Sequence, residues 1–149
     1  MAERKYVVFK LGEEEYAVDI MKVKEVTEYK ETVKLPQTPV FVQGIINLRG
    51  DITPIINLKK RFDLHENEKQ ASNRVIVMNL KDKLVGFMVD EASQVITMDD
   101  SEIESAPNFA SNIDKHFIEG IGKLGDRMII MLDLLKVLDE NEKKELLEM

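Results

Sequence analysis

The sequence contains no cysteine and no tryptophan. Without cysteine there can be no disulfide, thiolate zinc site or cysteine nucleophile, and an intracellular home is consistent with that absence. Three tyrosines and six phenylalanines are too few to furnish an aromatic groove for proline-rich peptides. No apolar run approaches the ~18 residues a membrane helix needs. The opening MAERKYVVFKLGEEEY lacks the apolar core of a secretion signal. The expectation is a soluble chain that another protein brings to any membrane where it works. No dense Lys/Arg cluster is present either. A formal charge of −7 with interspersed signs argues against nucleic acid, which demands a basic face.

What the sequence does contain is a repeated β-unit. Phe41 to Phe62 reads FVQGIINLRGDITPIINLKKRF. Two apolar runs, Gly44–Leu48 and Ile52–Leu58, flank Arg49-Gly50-Asp51, which is the pattern of a hairpin with Arg49 entering the turn. Asn57 is placed to cap a short helical turn over Leu58–Phe62. The pattern returns without a gap 76 positions later, in FIEGIGKLGDRMIIMLDLLKVL from Phe117 to Leu138. Gly44 falls on Gly120, Leu58 on Leu134, and Asn57 on Asp133. A fixed-offset echo of this kind indicates duplication.

The rest of the chain fits around that repeat. Tyr6–Leu11 and Tyr16–Val18 read as paired strands about a Gly12–Glu15 turn, and Asp19 as the start of a helical turn over Ile20–Val26. In that helix Ile20, Val23 and Val26 share a face and Glu25 stands exposed. Thr32–Leu35 reads as a short strand, and Thr38-Pro39 as a cap with proline at the first helical position. His65–Asn73 is a polar linker. Arg74–Leu80 and Leu84–Val89 form a second hairpin whose offset from the first varies between 69 and 72, so that Val23 roughly echoes Val95. Gln94–Met98 is a further strand. Asp99–Asp114 is acidic and interrupted by Pro107, and an apolar stripe from Leu134 to Leu147 predicts a helix over 133–149. Many short strands in two copies indicate two small β-barrels, too small to stand alone and therefore packed together. Approximate lobes are 4–64 and 74–138, with a boundary near 65–73 and strand exchange between them.

Few motifs carry chemistry. Gly120-Ile121-Gly122-Lys123-Leu124-Gly125 is a literal GxGxxG, but a strand pattern follows it where a nucleotide site needs a helix, so its glycines serve turns and close packing. His65 and His116 lack companions at ligand spacing, and Asp99-Asp100-Ser101-Glu102 lacks the oxygens and glycine of a calcium loop. No serine has a nucleophile-elbow setting. Neither a metal, a cofactor nor catalysis is expected. Arg49 is the exception to a purely structural account, because the second copy needs only Gly125 at that turn. Its guanidinium could clamp groups of its own chain or contact a partner.

The ordered set Asp19–Val26, Thr38-Pro39, Gly44-Ile45-Ile46-Asn47-Leu48-Arg49-Gly50, Pro54–Leu58, Val85–Asp90 and Gly125–Ile129 resembles the CheW family of bacterial chemotaxis coupling proteins, from about Tyr6 to Leu138. The resemblance implies a mainly β fold of two intertwined five-stranded SH3-like barrels. It further implies a non-catalytic, cytoplasmic adaptor recruited to membrane-anchored receptor arrays. Such an adaptor joins the cytoplasmic tips of chemoreceptors to the regulatory domain of the histidine kinase CheA. Carried over by position, Val23, Glu25 and Gly44 match the kinase-facing side. Arg49, Val75 and Val95 match receptor contact or coupling. The regulatory domain of a histidine kinase, alike in fold and size, is the nearest rival, ahead of a generic SH3-like peptide-binding module.

Overall fold

A computed structural model of the chain describes residues 2–65, 72–105 and 117–148. Most of the linker, along with Pro107 and His116, lies outside the described residues. Eleven strands form among them: β1 (Glu3–Leu11), β2 (Glu14–Asp19), β3 (Val23–Glu28), β4 (Val42–Leu48), β5 (Asp51–Asn57), β6 (Arg74–Leu80), β7 (Lys83–Val89), β8 (Glu91–Asp99), β9 (Ile103–Glu104), β10 (Ile118–Leu124) and β11 (Arg127–Leu132). They build two SH3-like barrels from a six-stranded sheet, β8-β1-β2-β11-β10-β9, and a five-stranded sheet, β3-β6-β7-β5-β4.

Each sheet draws strands from both sides of the linker, so the barrels are intertwined. The two sheets repeat one design. A parallel pair joins β2 to β11 through Ala17 and Met131, and the matching pair joins β7 to β5 through Gly86 and Ile55. Antiparallel register places Val8 opposite Ala17 and Val77 opposite Gly86. The hairpin repeat therefore carries an offset of 76 and the other half an offset of 69.

Three apolar clusters follow from this exchange. One lies inside the six-stranded barrel (Tyr6, Val8, Ala17, Ile96, Met98, Ile129, Met131) and one inside the five-stranded barrel (Ile46, Leu48, Ile55, Val75, Val77). The third and largest mixes residues of both sheets, including Phe9, Val18, Ile56, Phe87 and Leu132, and fuses the barrels. A file of rings, Phe9–Tyr16–Phe62–Phe117, runs through it with centroid spacings of 5.7, 6.4 and 5.2 Å. An ionic tie reinforces the junction. Lys59, buried on α1 (Leu58–Arg61), meets Asp90 Oδ2 at 2.8 Å, and that oxygen also accepts the Gly12 amide at 2.6 Å.

Several local expectations need correction. The helical turn after Asp19 stops after one 3-10 turn, Ile20–Lys22, and the chain then enters β3. The three-residue apolar spacing mimicked a helix face, whereas the real alternation has period two, half-burying Val23, Glu25 and Thr27 while Val26 faces out. Thr32–Leu35 supplies only an isolated bridge, Val33 with Ile45, and no helix follows Thr38, whose hydroxyl donates to the Leu35 carbonyl. Asn57 caps α1 as expected, accepting the Lys60 amide, but Asp133 caps nothing with its side chain because it faces Lys22 at 3.3 Å. The terminal segment accordingly divides into a 3-10 turn, Leu134–Val137, and a separate helix α2 (Glu140–Leu147) capped by Asp139 with Glu142. The GxGxxG string lies in β10 and the turn to β11, a hairpin rather than a helix entry.

Candidate functional site

The β4–β5 hairpin turns through two residues, Arg49 and Gly50, with φ of +51° and +93°. Both central residues in the left-handed region mark the tight turn whose twist suits a hairpin. The Asn47 carboxamide oxygen steadies it by accepting the Gly50 amide at 2.7 Å. Glycine would sit there without steric cost, as Gly125 does at φ +63° in the second copy. An arginine in this conformation thus carries backbone strain, which points to a use for its side chain.

That side chain reaches across the barrel. β3 and β4 are the two outer strands of the five-stranded sheet, and Arg49 makes a forked pair with Glu25 of β3. Nη1 donates to Oε2 at 3.2 Å and Nη2 to Oε1. Hydrogen bonding from Arg49 holds the Glu25 carboxyl below the usual carboxylate range. The pair joins the open edges of the sheet at its surface, with the Arg49 side chain 65% exposed and Glu25 26%. Glu25 is therefore half-buried and engaged, not the free surface acid its place in a helix predicted. Val26 on the edge strand β3 and Ile52 on β5, beside the edge strand β4, are both exposed.

The second barrel carries the counterpart. Register aligns Glu25 with Gln94, since they face Val77 and Val8 respectively. Arg127 donates to Gln94 at 2.8 Å and in a fork to Glu15 at 3.0 and 2.7 Å. Val26 aligns with Val95 by the same register, which replaces the looser match of Val95 to Val23. Ile52 aligns with Met128 at offset 76, and Val95 and Met128 are exposed as well. Each barrel thus shows an exposed valine, a second exposed apolar side chain and a forked arginine, although Arg127 stands on the inner strand β11 at the position of Asp51 and only Arg49 spans two sheet edges. Val95 was named from the sequence, whereas Val26, Ile52 and Met128 were missed because nothing in an apolar strand pattern marks which side chain faces out. The repeat registers were the signal that could have found them.

The remaining predicted positions separate. Val23 is half-buried against the shared core. Gly44 is buried at a bulge with φ +146°, and an added Cβ would stand 2.5 Å from the Val33 carbonyl oxygen and 2.8 Å from Thr32 Cβ. A side chain there strikes the chain's own crossing segment, so the glycine's first role is internal. Val75 is 1% exposed and packs inside the five-stranded barrel, so it offers no surface to a partner. The structure gathers Val23, Glu25, Gly44 and Arg49 at the edges of one sheet and places Val95 on the other.

Two fused SH3-like barrels thus present exposed apolar residues near paired arginines. The sequence model of the CheW-like domain matches residues 5–142, and the chain belongs to this family. It is 37% identical to the chemotaxis protein CheW of Klebsiella aerogenes, over 93% of this chain and 84% of that one. The same identity relates it to chemotaxis protein CheW of Bacillus subtilis, over 94% and 90%. The crystal structure of the scaffolding protein TtCheW from Thermoanaerobacter tengcongensis superposes with a TM-score of 0.85 at 41% identity, covering 95% of this chain and 92% of that one. Among the described residues no helix is long and apolar enough to cross a membrane.

Proposed function

We propose that this chemotaxis scaffolding protein is a cytoplasmic, non-catalytic adaptor that couples the cytoplasmic tips of chemoreceptors to the regulatory domain of the histidine kinase CheA. The observation that supports it best is Arg49. It is an exposed arginine held in a strained turn, forked onto Glu25 across the barrel edges, with Val26 and Ile52 beside it. Apolar side chains beside an oriented guanidinium are the composition of a binding hot spot. We assign the kinase face to this edge of the five-stranded barrel, with Val23, Glu25 and the Gly44 bulge beneath it. Val95 and Met128 on the six-stranded barrel form the receptor-facing counterpart. Because Glu25 and Arg49 share one ion pair, a change in one alters the other, which is how a single patch takes part in both binding and coupling.

Calorimetric titration with the regulatory domain of a chemotaxis kinase from the same genome tests the kinase face. The wild type should bind 1:1, and Ile52→Asp, altering an exposed side chain, should weaken binding at least tenfold with an unchanged circular dichroism spectrum. No binding by the folded wild type, or full binding by the variant, contradicts the assignment.

A further inference from the structure

The six-stranded barrel has a concavity of about 270 Å³ lined by Tyr6, Ile103 and Met131, with Asp100 and Glu119 around it and the Arg4–Asp19 pair alongside. This is slightly below the roughly 300–1,000 Å³ of small-molecule sites. Tyr6 is 6% exposed, and its hydroxyl, at the pocket wall, makes no hydrogen bond among the described residues. No fully buried side-chain oxygen among the described residues lacks a partner, so this hydroxyl is open to the pocket and can take a ligand there. Burial pushes the Tyr6 phenol above its usual range, against Arg4, which pulls it down, and with Asp19, Glu119 and Asp100, which reinforce the rise. The phenol is therefore neutral at ordinary pH. The carboxylates of Asp100 and Glu119 have no ion-pair partner among the described residues.

The other barrel provides an internal comparison. At offsets of 69 and 76, Tyr6 aligns with Val75 and Glu119 with Gln43. Gln43 is buried, accepts Asn57 Nδ2 at 3.0 Å and donates to the Tyr29 hydroxyl at 3.4 Å, while its backbone carbonyl accepts the Thr32 hydroxyl at 3.0 Å. In that copy the polar groups satisfy one another. In the six-stranded barrel the glutamine is replaced by an exposed carboxylate and the tyrosine hydroxyl faces an open pocket.

We propose that this pocket receives the guanidinium of an arginine carried by a protein partner. Asp100 and Glu119 offer only acceptors and the Tyr6 hydroxyl can accept as well as donate, while a guanidinium brings five donors and no acceptor. A planar fork can reach the Tyr6 oxygen and the Asp100 and Glu119 carboxylates together, while the arginine stem lies along Ile103 and Met131. A lysine ammonium is a more strongly hydrated point charge and matches this spread of acceptors less well. The net charge of −7 draws such a partner in.

The probe is N-acetyl-arginine amide, titrated at low ionic strength into isotope-labelled protein and followed by amide NMR shifts, with the citrulline and lysine analogues in parallel. Saturable shifts should appear at Tyr6, Asp100, Ile103 and Glu119 with arginine, at least fivefold weaker with lysine and absent with citrulline. Glu119→Gln changes an exposed side chain and should weaken arginine binding at least fivefold, as should Tyr6→Phe. If Tyr6→Phe loses the dispersed spectrum of a folded chain, Glu119→Gln decides alone. Absence of saturable shifts, equal response to lysine or citrulline, or binding indifferent to Glu119→Gln overturns the proposal.

Discussion

Gly44 and Gly120 stand 76 residues apart and make the same accommodation. Each opens a bulge where a short crossing segment lies against the hairpin. A Cβ would meet the Val33 carbonyl oxygen at 2.5 Å from Gly44 and the Glu104 carbonyl oxygen at 2.7 Å from Gly120. In both cases the obstacle is backbone, which cannot swing aside as a side-chain tip can. Gly44→Ala should cost roughly 2–4 kcal/mol, combining overpacking with its left-handed backbone, and Gly120→Ala roughly 1–3 kcal/mol from overpacking alone. Urea unfolding of the two variants checks the order as well as the size. Gly44→Asp should lower kinase binding through loss of folded structure at residues 32–33.

Lys59 and Asp90 should matter to stability more than the exposed pairs do. Lys59→Met removes the buried cation and leaves Asp90 with the Gly12 amide alone. A loss of about 1–3 kcal/mol is expected, reduced from the fully buried case because Asp90 keeps some solvent contact. Thermal unfolding of Lys59→Met beside Lys59→Met/Asp90→Asn measures it, and the double variant should recover part of the loss.

Val75 should behave as core. Val75→Ala removes packing from a residue 1% exposed, with an expected cost of about 1–3 kcal/mol. Any loss of receptor coupling should track this loss of stability, as measured by chemical unfolding alongside a binding assay. Val95→Ala, altering an exposed side chain, should change coupling without changing the unfolding midpoint.

Acid should weaken the fold through its forked carboxylates. Hydrogen bonding from Arg127 lowers the Glu15 carboxyl, as Arg49 lowers Glu25. A group with a depressed folded-state pKa contributes stability above its unfolded value, near 4.3 for glutamate, and loses it as pH falls through the lower folded value. The free energy of unfolding should therefore decline below about pH 4.5, and Glu15→Gln should show a shallower decline in the same titration.

The two central hairpins were legible because Arg49-Gly50-Asp51 and Gly125-Asp126 announce turns between apolar runs, and the capping of α1 by Asn57 was legible for the same local reason. β3 was not. Ile20, Val23 and Val26 have helical spacing, and only pairing with β6 decides that the chain leaves the turn at Ile20 and runs as a strand through Val23 and Val26. The end of the chain was misread because Asp133 is a good cap by type, yet Lys22, 111 residues away, takes its carboxylate. The Arg49–Glu25 pair was legible in its parts but not as a pair, since two edges of a sheet meet only when the sheet curls. Val75 was named only through the family resemblance, and its apolar run, Arg74–Leu80, already fits the interior place it takes beside Ile55 and Val77.

The most direct measurement is kinase activity in a reconstitution of receptor-containing vesicles, CheA and this protein, with Arg49→Ala in parallel. The account predicts that receptor control of the kinase requires the wild-type protein. It also predicts that Arg49→Ala, still unfolding cooperatively, reduces this control at least tenfold. Equal control by the variant, or control in the absence of the protein, would contradict the adaptor reading built on Arg49.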